Sequence, residues 1–95
     1  MARYIALLKF TEQGSKNIKA STTRAKAFAK LASKAGVTVE GQYWTTGSHD
    51  GAMVLAGKKE EDILHLLTEL ASLGNVRTES LRAFSAKEFD DIIEG

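Results

Sequence analysis

Two short segments of this chain are apolar on both of their β-strand faces, and this pattern limits the folds that the chain can adopt. Residues 4–10 place four apolar or aromatic side chains on one strand face and two, Ile5 and Leu7, on the other. Residues 52–56 contain no polar side chain at all. A strand that is apolar on both faces is covered on both sides. Because a single layer of helices covers only one face of a sheet, we expect a second copy of the chain to cover the other.

The length of the chain supports the same expectation. At 95 residues it has the length of one domain, and we predict a single domain over residues 1–95. A domain of this size buries only about 60–65% of its unfolded surface, so a lone monomer is marginal. The chain contains no Cys, which excludes disulfides, thiolate metal sites and thiol redox chemistry. Assembly into a homodimer or a higher homo-oligomer remains as the way to bury more apolar surface.

Charge and hydropathy give no indication of a nucleic-acid or membrane partner. The net charge is +1, although residues 1–50 hold eight of the thirteen Lys and Arg and residues 51–95 hold nine of the twelve Asp and Glu. This asymmetry is typical of two oppositely charged helices that lie side by side or face a neighbour, and a polyanion site is the alternative. The first ten residues are too short and too charged for a signal peptide or a membrane span. We therefore expect a cytoplasmic protein.

The hydrophobic periodicity predicts four strands and three helices. The helical segments have apolar side chains at three- and four-residue steps, and the strands are rich in β-branched and aromatic residues. Gly36 and Gly74 follow the first two helices, as C-terminal glycines do, and Ser21 is expected to cap the first. The predicted strands are Tyr4–Phe10, Val37–Thr46, Ala52–Ala56 and Val76–Phe84, and the predicted helices are Ser21–Ala35, Glu60–Leu73 and a short tail after Ser85.

This order of elements predicts an α+β fold, a ferredoxin-like βαββαβ sandwich with a short C-terminal helix. With the second sheet face covered by another copy, it is of the dimeric α/β-barrel type. Simple alternation along the second strand places Val39 and Tyr43 on one face and Trp44 on the other. Ser85 and Glu88 form the S-x-x-E pattern of a capping box at the start of the tail helix.

Three segments of the chain resemble the signature blocks of the GYD-domain family. They are LKFTEQGSKNIKAS, QYWTTGSHDGAMVL and GNVRTESLRAFSAKEF, in that order, and together they span nearly the whole chain. The resemblance implies a small ferredoxin-like protein of the dimeric α/β-barrel group, and it implies no particular activity. The sequence departs from the family pattern at one position, because His49 stands before Asp50 where the family has its name-giving Tyr.

The segment from Tyr43 to Gly51 holds the first set of candidate site residues. His49 is a candidate general base, since a histidine titrates near neutral pH and a carboxylate such as Asp50 can orient it. Tyr43 and Trp44 are candidates for the apolar wall of a ligand site. The alternative is a hairpin turn in which Asp50 accepts hydrogen bonds from turn amides and Gly51 takes a positive φ. A buried or interfacial role for Trp44 is an equally good interpretation.

Two arginines on the last strand complete the candidate set. Arg77 and Arg82 fall on opposite strand faces, so at most one of them can line a given cavity, where it would bind an anionic group. A salt bridge with Glu40 or Glu79 is the alternative for either residue. No His, Asp and Glu spacing matches a metal site, and no glycine-rich phosphate loop is present, so we expect no metal and no bound cofactor.

Two kinds of function fit these residues. The first is binding of a small apolar or aromatic molecule, as in a cofactor-independent enzyme of the dimeric α/β-barrel type. The second is a non-catalytic structural or regulatory module that oligomerises. RNA-recognition modules share this order of elements, but the third strand lacks their stacking aromatics, so RNA binding is not expected. A cavity lined by Tyr43 or Trp44 with His49 or an arginine would favour the first function.

Overall fold

A computed structural model describes all residues from Met1 to Gly95. It contains one four-stranded antiparallel sheet in the order β2-β3-β1-β4, which is compatible with a ferredoxin-like fold and confirms the predicted α+β class. The strands are β1 (Ala2–Phe10), β2 (Val37–Trp44), β3 (Gly51–Gly57) and β4 (Val76–Ala83).

Four α-helices accompany the sheet. They are α1 (Glu12–Lys16), α2 (Ser21–Lys34), α3 (Glu60–Ser72) and α4 (Ala86–Glu94), with a short 3-10 turn over Ile18–Ala20. The long helices α2 and α3 pack on the same face of the sheet, α2 against β2 and α3 against β3 and β4. The core lies between these helices and the sheet, where Leu55, Ile63 and Leu66 are completely buried.

The strand register divides the sheet into a helix-covered face and an open face. Tyr4, Ala6 and Leu8 of β1 belong to the core or pack against it, so even-numbered β1 residues face the helices. The alternate residues of β1 face away, together with their cross-strand neighbours. The open face therefore carries an apolar centre formed by Ile5, Leu7, Ala52, Val54 and Leu81.

A β-bulge at Glu40 changes which residues of β2 face the helices. The register steps from Val39 opposite Leu55 to Gly41 opposite Val54, so one residue is left unpaired. Simple alternation along β2 was therefore wrong: Val39 and Trp44 lie on the same, helix-covered face. The bulge turns the Tyr43 ring to the open face, where it lies over Gly41. A Cβ at Gly41 would stand only 2.8 Å from Tyr43 Cε2, so the ring occupies the space that a side chain at position 41 would need.

Helix α1 was not predicted from the sequence. Thr11 caps it by accepting a hydrogen bond from the Gly14 amide at 3.1 Å. Gly14 packs so closely on the Asn75 backbone that any side chain there would collide with it.

The prediction that Ser21 caps α2 was wrong: Ser21 is the first helical residue, and its hydroxyl accepts a hydrogen bond from Trp44 Nε1 at 2.9 Å.

Helix α4 begins with the predicted capping box and then leaves the core. The Ser85 hydroxyl accepts from the Glu88 amide at 3.1 Å, and Glu88 Oε1 accepts from the Ser85 amide at 2.8 Å. These bonds hold the pKa of Glu88 below its ordinary value. No residue of α4 is buried, and Phe89 and Ile93 are more than half exposed. The helix thus has an apolar side with no partner within the chain.

Candidate functional site

A cavity of about 230 Å³ lies between the sheet and the helices, at the end of the sheet next to the β2–β3 loop. Its floor comes from the helix-covered face of the strands, and its roof comes from α2 and the C-terminal end of α3. Most of its lining is hydrophobic. Residues Leu8, Phe10, Met53 and Val76 line it from the strands, and Ala25, Phe28, Leu31 and Leu70 line it from the helices.

Small side chains explain why this space is not filled. Ala25 and Ala27 of α2 and Gly51 of β3 contribute to the lining, where larger residues would occupy the volume. A side chain at Gly51 is also disfavoured for a local reason, because its Cβ would stand 2.9 Å from the Tyr43 carbonyl oxygen and the backbone would have to shift. The volume lies between the roughly 150 Å³ of an apolar cavity that holds benzene and the roughly 300–1,000 Å³ of a drug-sized site. The cavity therefore has room for a small organic molecule.

The rim of the cavity is apolar and open to solvent. Leu31 is 41% exposed, Trp44 50% and Leu73 62%, so three large hydrophobic side chains stand at the mouth. The Trp44 ring is held in place by its Nε1–H, which donates to the Ser21 hydroxyl. Gln42 is fixed in the same way, because its Nε2 donates to the Ala25 carbonyl at 3.0 Å. The wall next to α2 is thus positioned before any ligand arrives.

Arg24 is a charged residue of the cavity lining that was not predicted from the sequence. Its Nη1 donates to the Asn17 carbonyl at 2.8 Å, whereas its Nη2 is buried and has no hydrogen-bond partner. None of the five ion pairs of the chain includes Arg24. The charged side chains of α2 were expected to be solvated, because Lys26, Lys30 and Lys34 form a row of that kind. The sequence did contain a signal for this position. Arg24 lies four residues before Phe28, which places it on the apolar stripe of the helix.

The β2–β3 loop is held to β1 by Asp50. Asp50 Oδ2 accepts a hydrogen bond from the Phe10 amide at 2.8 Å, and the Asp50 amide donates to the Leu8 carbonyl at 2.8 Å. Asp50 was expected to bond amides of its own turn and Gly51 to take a positive φ; instead Asp50 bonds a neighbouring strand. Within the loop it is Gly47 that has the positive φ, at 102°. Asp50 also lines the cavity, so the predicted segment does form part of its boundary.

His49 lies outside the cavity lining. Its Nε2 is 3.6 Å from Glu79 Oε1, and its Nδ1 is 3.1 Å from the Ser48 hydroxyl. Glu79 stands opposite Leu7 on the open face, so the imidazole is on that side of the sheet. Tyr43 contributes to the lining, but its ring also lies on the open face, over Gly41. The structure therefore brings Trp44 and Asp50 to the cavity and separates His49 from them.

Neither Arg77 nor Arg82 reaches the cavity. Arg77 stands opposite Lys9 on the open face and is exposed. The Arg82 guanidinium stacks on the Phe84 ring, 4.6 Å from its centroid. Its Nε donates to Glu60 Oε1 at 3.0 Å, and its Nη1 donates to the Ala83 carbonyl at 2.6 Å. Arg82 therefore forms its contacts on the helix-covered face of the sheet. Its ion-pair partner is Glu60, and not Glu40 or Glu79 as expected.

Tyr4 shares the Glu60 carboxylate with Arg82. Its hydroxyl donates to Glu60 Oε1 at 2.8 Å, and this hydrogen bond raises the pKa of Tyr4 above its ordinary value. The same bond and the one from Arg82 lower the pKa of Glu60.

At the edge of the sheet, Arg3 pairs with Glu40 at 2.7 Å, which lowers the pKa of Glu40 and raises that of Arg3. These groups fasten elements together and lie away from the cavity.

No cluster of His, Cys, Asp and Glu side chains has the arrangement of a metal site. No helix combines the length and the apolar character needed to cross a membrane.

These elements define a small α+β protein with a ferredoxin-like antiparallel sheet and a cavity under its helices. A crystal structure of TTHA0845 from Thermus thermophilus is similar to the chain, with a TM-score of 0.58 and 25% identity over 90% of this chain and 96% of that one. The family model for the GYD domain matches residues 4–93. The chain belongs to the GYD domain family. No curated protein matches its sequence.

Proposed function

We propose that this GYD domain binds a small apolar or aromatic molecule in the cavity under α2. The observation that carries the proposal is the cavity itself, with about 230 Å³ of mostly apolar space and a half-exposed Trp44 at its mouth. Ligand sites are concave and mostly apolar, with a few polar groups that fix orientation. Trp44 and Gln42 are each held by a hydrogen bond, so binding needs little rearrangement of this wall.

Binding is better supported than catalysis. The candidate general base His49 lies on the other side of the sheet, and the Asp50 carboxylate already accepts a hydrogen bond from the Phe10 amide. A general base must come within hydrogen-bond reach of the proton that it removes. An enzyme acting in this cavity would therefore have to work without His49, and Arg24 and Asp50 are the charged groups at its disposal.

A cavity-filling variant tests the binding proposal. Octan-1-ol and 3-phenylpropan-1-ol are suitable neutral probes, and isothermal titration calorimetry measures their affinity. We expect the wild-type chain to bind at least one of them, and Ala25→Phe to weaken that binding at least tenfold because the new ring occupies the cavity. Ala71→Phe is the matched control, since Ala71 is exposed on α3 outside the lining. Failure of the wild type to bind either alcohol would contradict the proposal, as would unchanged affinity in a folded Ala25→Phe variant.

A second function, self-association, is favoured by the open face of the sheet. Val54, Ile5 and Leu81 are consecutive neighbours across β3, β1 and β4, and none of them is buried within the chain. The exposed apolar side of α4 adds to the uncovered surface. We propose that a second copy covers this face in a homodimer or a larger homo-oligomer. The same patch on both copies is self-complementary under two-fold symmetry.

Sedimentation velocity at micromolar concentration tests the self-association. We expect no dominant monomer in the wild type and a monomer for Val54→Glu, because a carboxylate in the middle of a buried sheet face would be desolvated without a partner. Leu64→Glu is the control, since Leu64 is 45% exposed on α3 and away from the open face. A wild-type monomer, or the same assembly in Val54→Glu, would contradict this second proposal.

A further inference from the structure

We infer that the ligand of the cavity carries a carboxylate, which Arg24 binds. This inference rests on the proposed function and adds the chemical class of the ligand, an aliphatic or aromatic acid. It starts from the Arg24 Nη2 atom, which is buried and makes no hydrogen bond in the chain. Buried cationic groups are ordinarily paired, because desolvation without a partner is costly.

The geometry of the guanidinium shows which donors are free. Arg24 Nη1 is bound to the Asn17 carbonyl and is therefore already used. Nε and Nη2 together form the other edge of the guanidinium, and neither donates within the chain. Two parallel N–H groups on one edge match the two oxygens of a carboxylate in a bidentate pair. The unused edge of Arg24 therefore has the shape and charge of a carboxylate receptor. Because Nη2 is buried in the free chain, a ligand reaches it by a turn of the Arg24 side chain towards the cavity that this residue lines.

The surroundings of Arg24 favour a monoanion with an apolar body. Asp50 is the other charged residue of the lining, and one of its oxygens is held by the Phe10 amide. No ion pair joins Asp50 to Arg24. Beyond these two groups the cavity presents mostly apolar side chains such as Phe28, Leu31 and Met53. An acid whose carboxylate meets Arg24 and whose chain or ring enters this space satisfies both parts of the site.

Octanoate and octan-1-ol form the test, since they differ in their head group and share their chain length. By isothermal titration calorimetry, we expect wild type to bind octanoate at least tenfold more tightly than octan-1-ol. Arg24→Gln should remove this preference, with octanoate losing at least tenfold more affinity than octan-1-ol. Lys30→Gln on the same helix is the control for the loss of one positive charge, because Lys30 is exposed and outside the lining.

The outcomes separate the two proposals. Binding of octan-1-ol without any preference for octanoate, or a preference that survives in Arg24→Gln, would overturn the role of Arg24 and leave the cavity as an apolar binding site. If neither octanoate nor octan-1-ol binds, this inference is overturned, and if 3-phenylpropan-1-ol also fails to bind, the proposed function is overturned with it. If Arg24→Gln does not fold, the Arg24 Nε–H signal in the NMR spectrum of the wild type decides. It should move on addition of octanoate and stay in place with octan-1-ol, and an unmoved signal at saturating octanoate would overturn the inference.

Discussion

The Asp50 carboxylate accepts a hydrogen bond from the Phe10 amide at 2.8 Å, and this bond ties the β2–β3 loop to the end of β1. The loop is closed on its other side by the Thr45 amide, which donates to the Asp50 carbonyl at 2.9 Å. Asp50 therefore has a structural role that does not depend on a ligand. Because β1 and the loop both border the cavity, this bond also fixes the position of the cavity wall.

Asp50→Ala should lower the free energy of unfolding by about 1.5–3 kcal/mol, since it leaves the partly buried Phe10 amide without its charged acceptor. Asp50→Asn keeps an acceptor oxygen and should cost less. Urea unfolding followed by circular dichroism measures both. Asp90→Ala, at an exposed position of α4, should change stability by less than about 0.5 kcal/mol. Equal stabilities for Asp50→Ala and Asp90→Ala would show that the bond is not formed in solution.

Trp44 and His49 should respond differently to substitution, although they lie close together in the sequence. Trp44 stands at the cavity mouth, so Trp44→Ala should weaken binding of 3-phenylpropan-1-ol by about 2- to 13-fold, the equivalent of an aromatic pair worth 0.5–1.5 kcal/mol. His49 lies outside the lining, so His49→Phe should leave that affinity unchanged. Calorimetric titration measures both variants. Loss of binding in a folded His49→Phe variant would place the site at the loop and contradict our assignment to the cavity.

The hydrogen bond from Tyr4 to Glu60 predicts a pH dependence with a definite sign. The pKa of Tyr4 is raised above 10.0, so the stability that it contributes is present below that value and is lost as pH rises through the folded-state pKa. The pKa of Glu60 is lowered, so the stability that Glu60 contributes is lost as pH falls from 4.5 through its folded-state pKa.

An ultraviolet titration measures the pKa of Tyr4 directly. Tyr43→Phe leaves Tyr4 as the one tyrosine, and the titration of this variant should give a pKa above 10.0. Adding Glu60→Gln should lower that pKa, and no change would show that the bond is absent.

Removal of the α4 cap should act locally. The cap is worth about 0.5–2 kcal/mol, and no residue of α4 is buried, so Ser85→Ala should open this helix and leave the rest of the fold intact. We expect amide hydrogen exchange in α4 to become about 2- to 30-fold faster, with α3 unaffected. Ser85→Thr keeps the hydroxyl and serves as the control. An equal acceleration in α3 would mean that α4 is packed on the core.

Much of the fold follows from local patterns in the sequence. The apolar stripe of α3, the glycines that end α2 and α3, and the capping box of α4 are short-range signals, and each appears in the structure where the sequence predicts it. The bulge at Glu40 has no such signal, because it depends on the pairing of β2 with β3. A shift of one residue was enough to exchange the predicted faces of Tyr43 and Trp44.

The site was predictable only in part, because it depends on contacts between distant elements. Trp44 and Asp50 could be selected from the sequence as unusual residues beside a loop. The position of His49 depends on Glu79, thirty residues away, and Arg82 was paired with Glu60 of another element. In the sequence, Arg24 is separated from Trp44, another residue of the cavity lining, by the rest of α2 and most of β2. Its unpaired Nη2 could not be inferred from composition.

The location of a bound ligand tests our central claim most directly, because the chain has two uncovered apolar regions on opposite sides of one sheet. Methyl-labelled protein titrated with octan-1-ol distinguishes them by NMR. We predict shifted methyl signals and ligand Overhauser contacts at Met53, Leu31 and Leu70, which line the cavity, and unmoved signals at Ile5 and Val54 on the open face. Contacts at Ile5 and Val54 with unmoved Met53, Leu31 and Leu70 would contradict the claim that the cavity under α2 is the binding site.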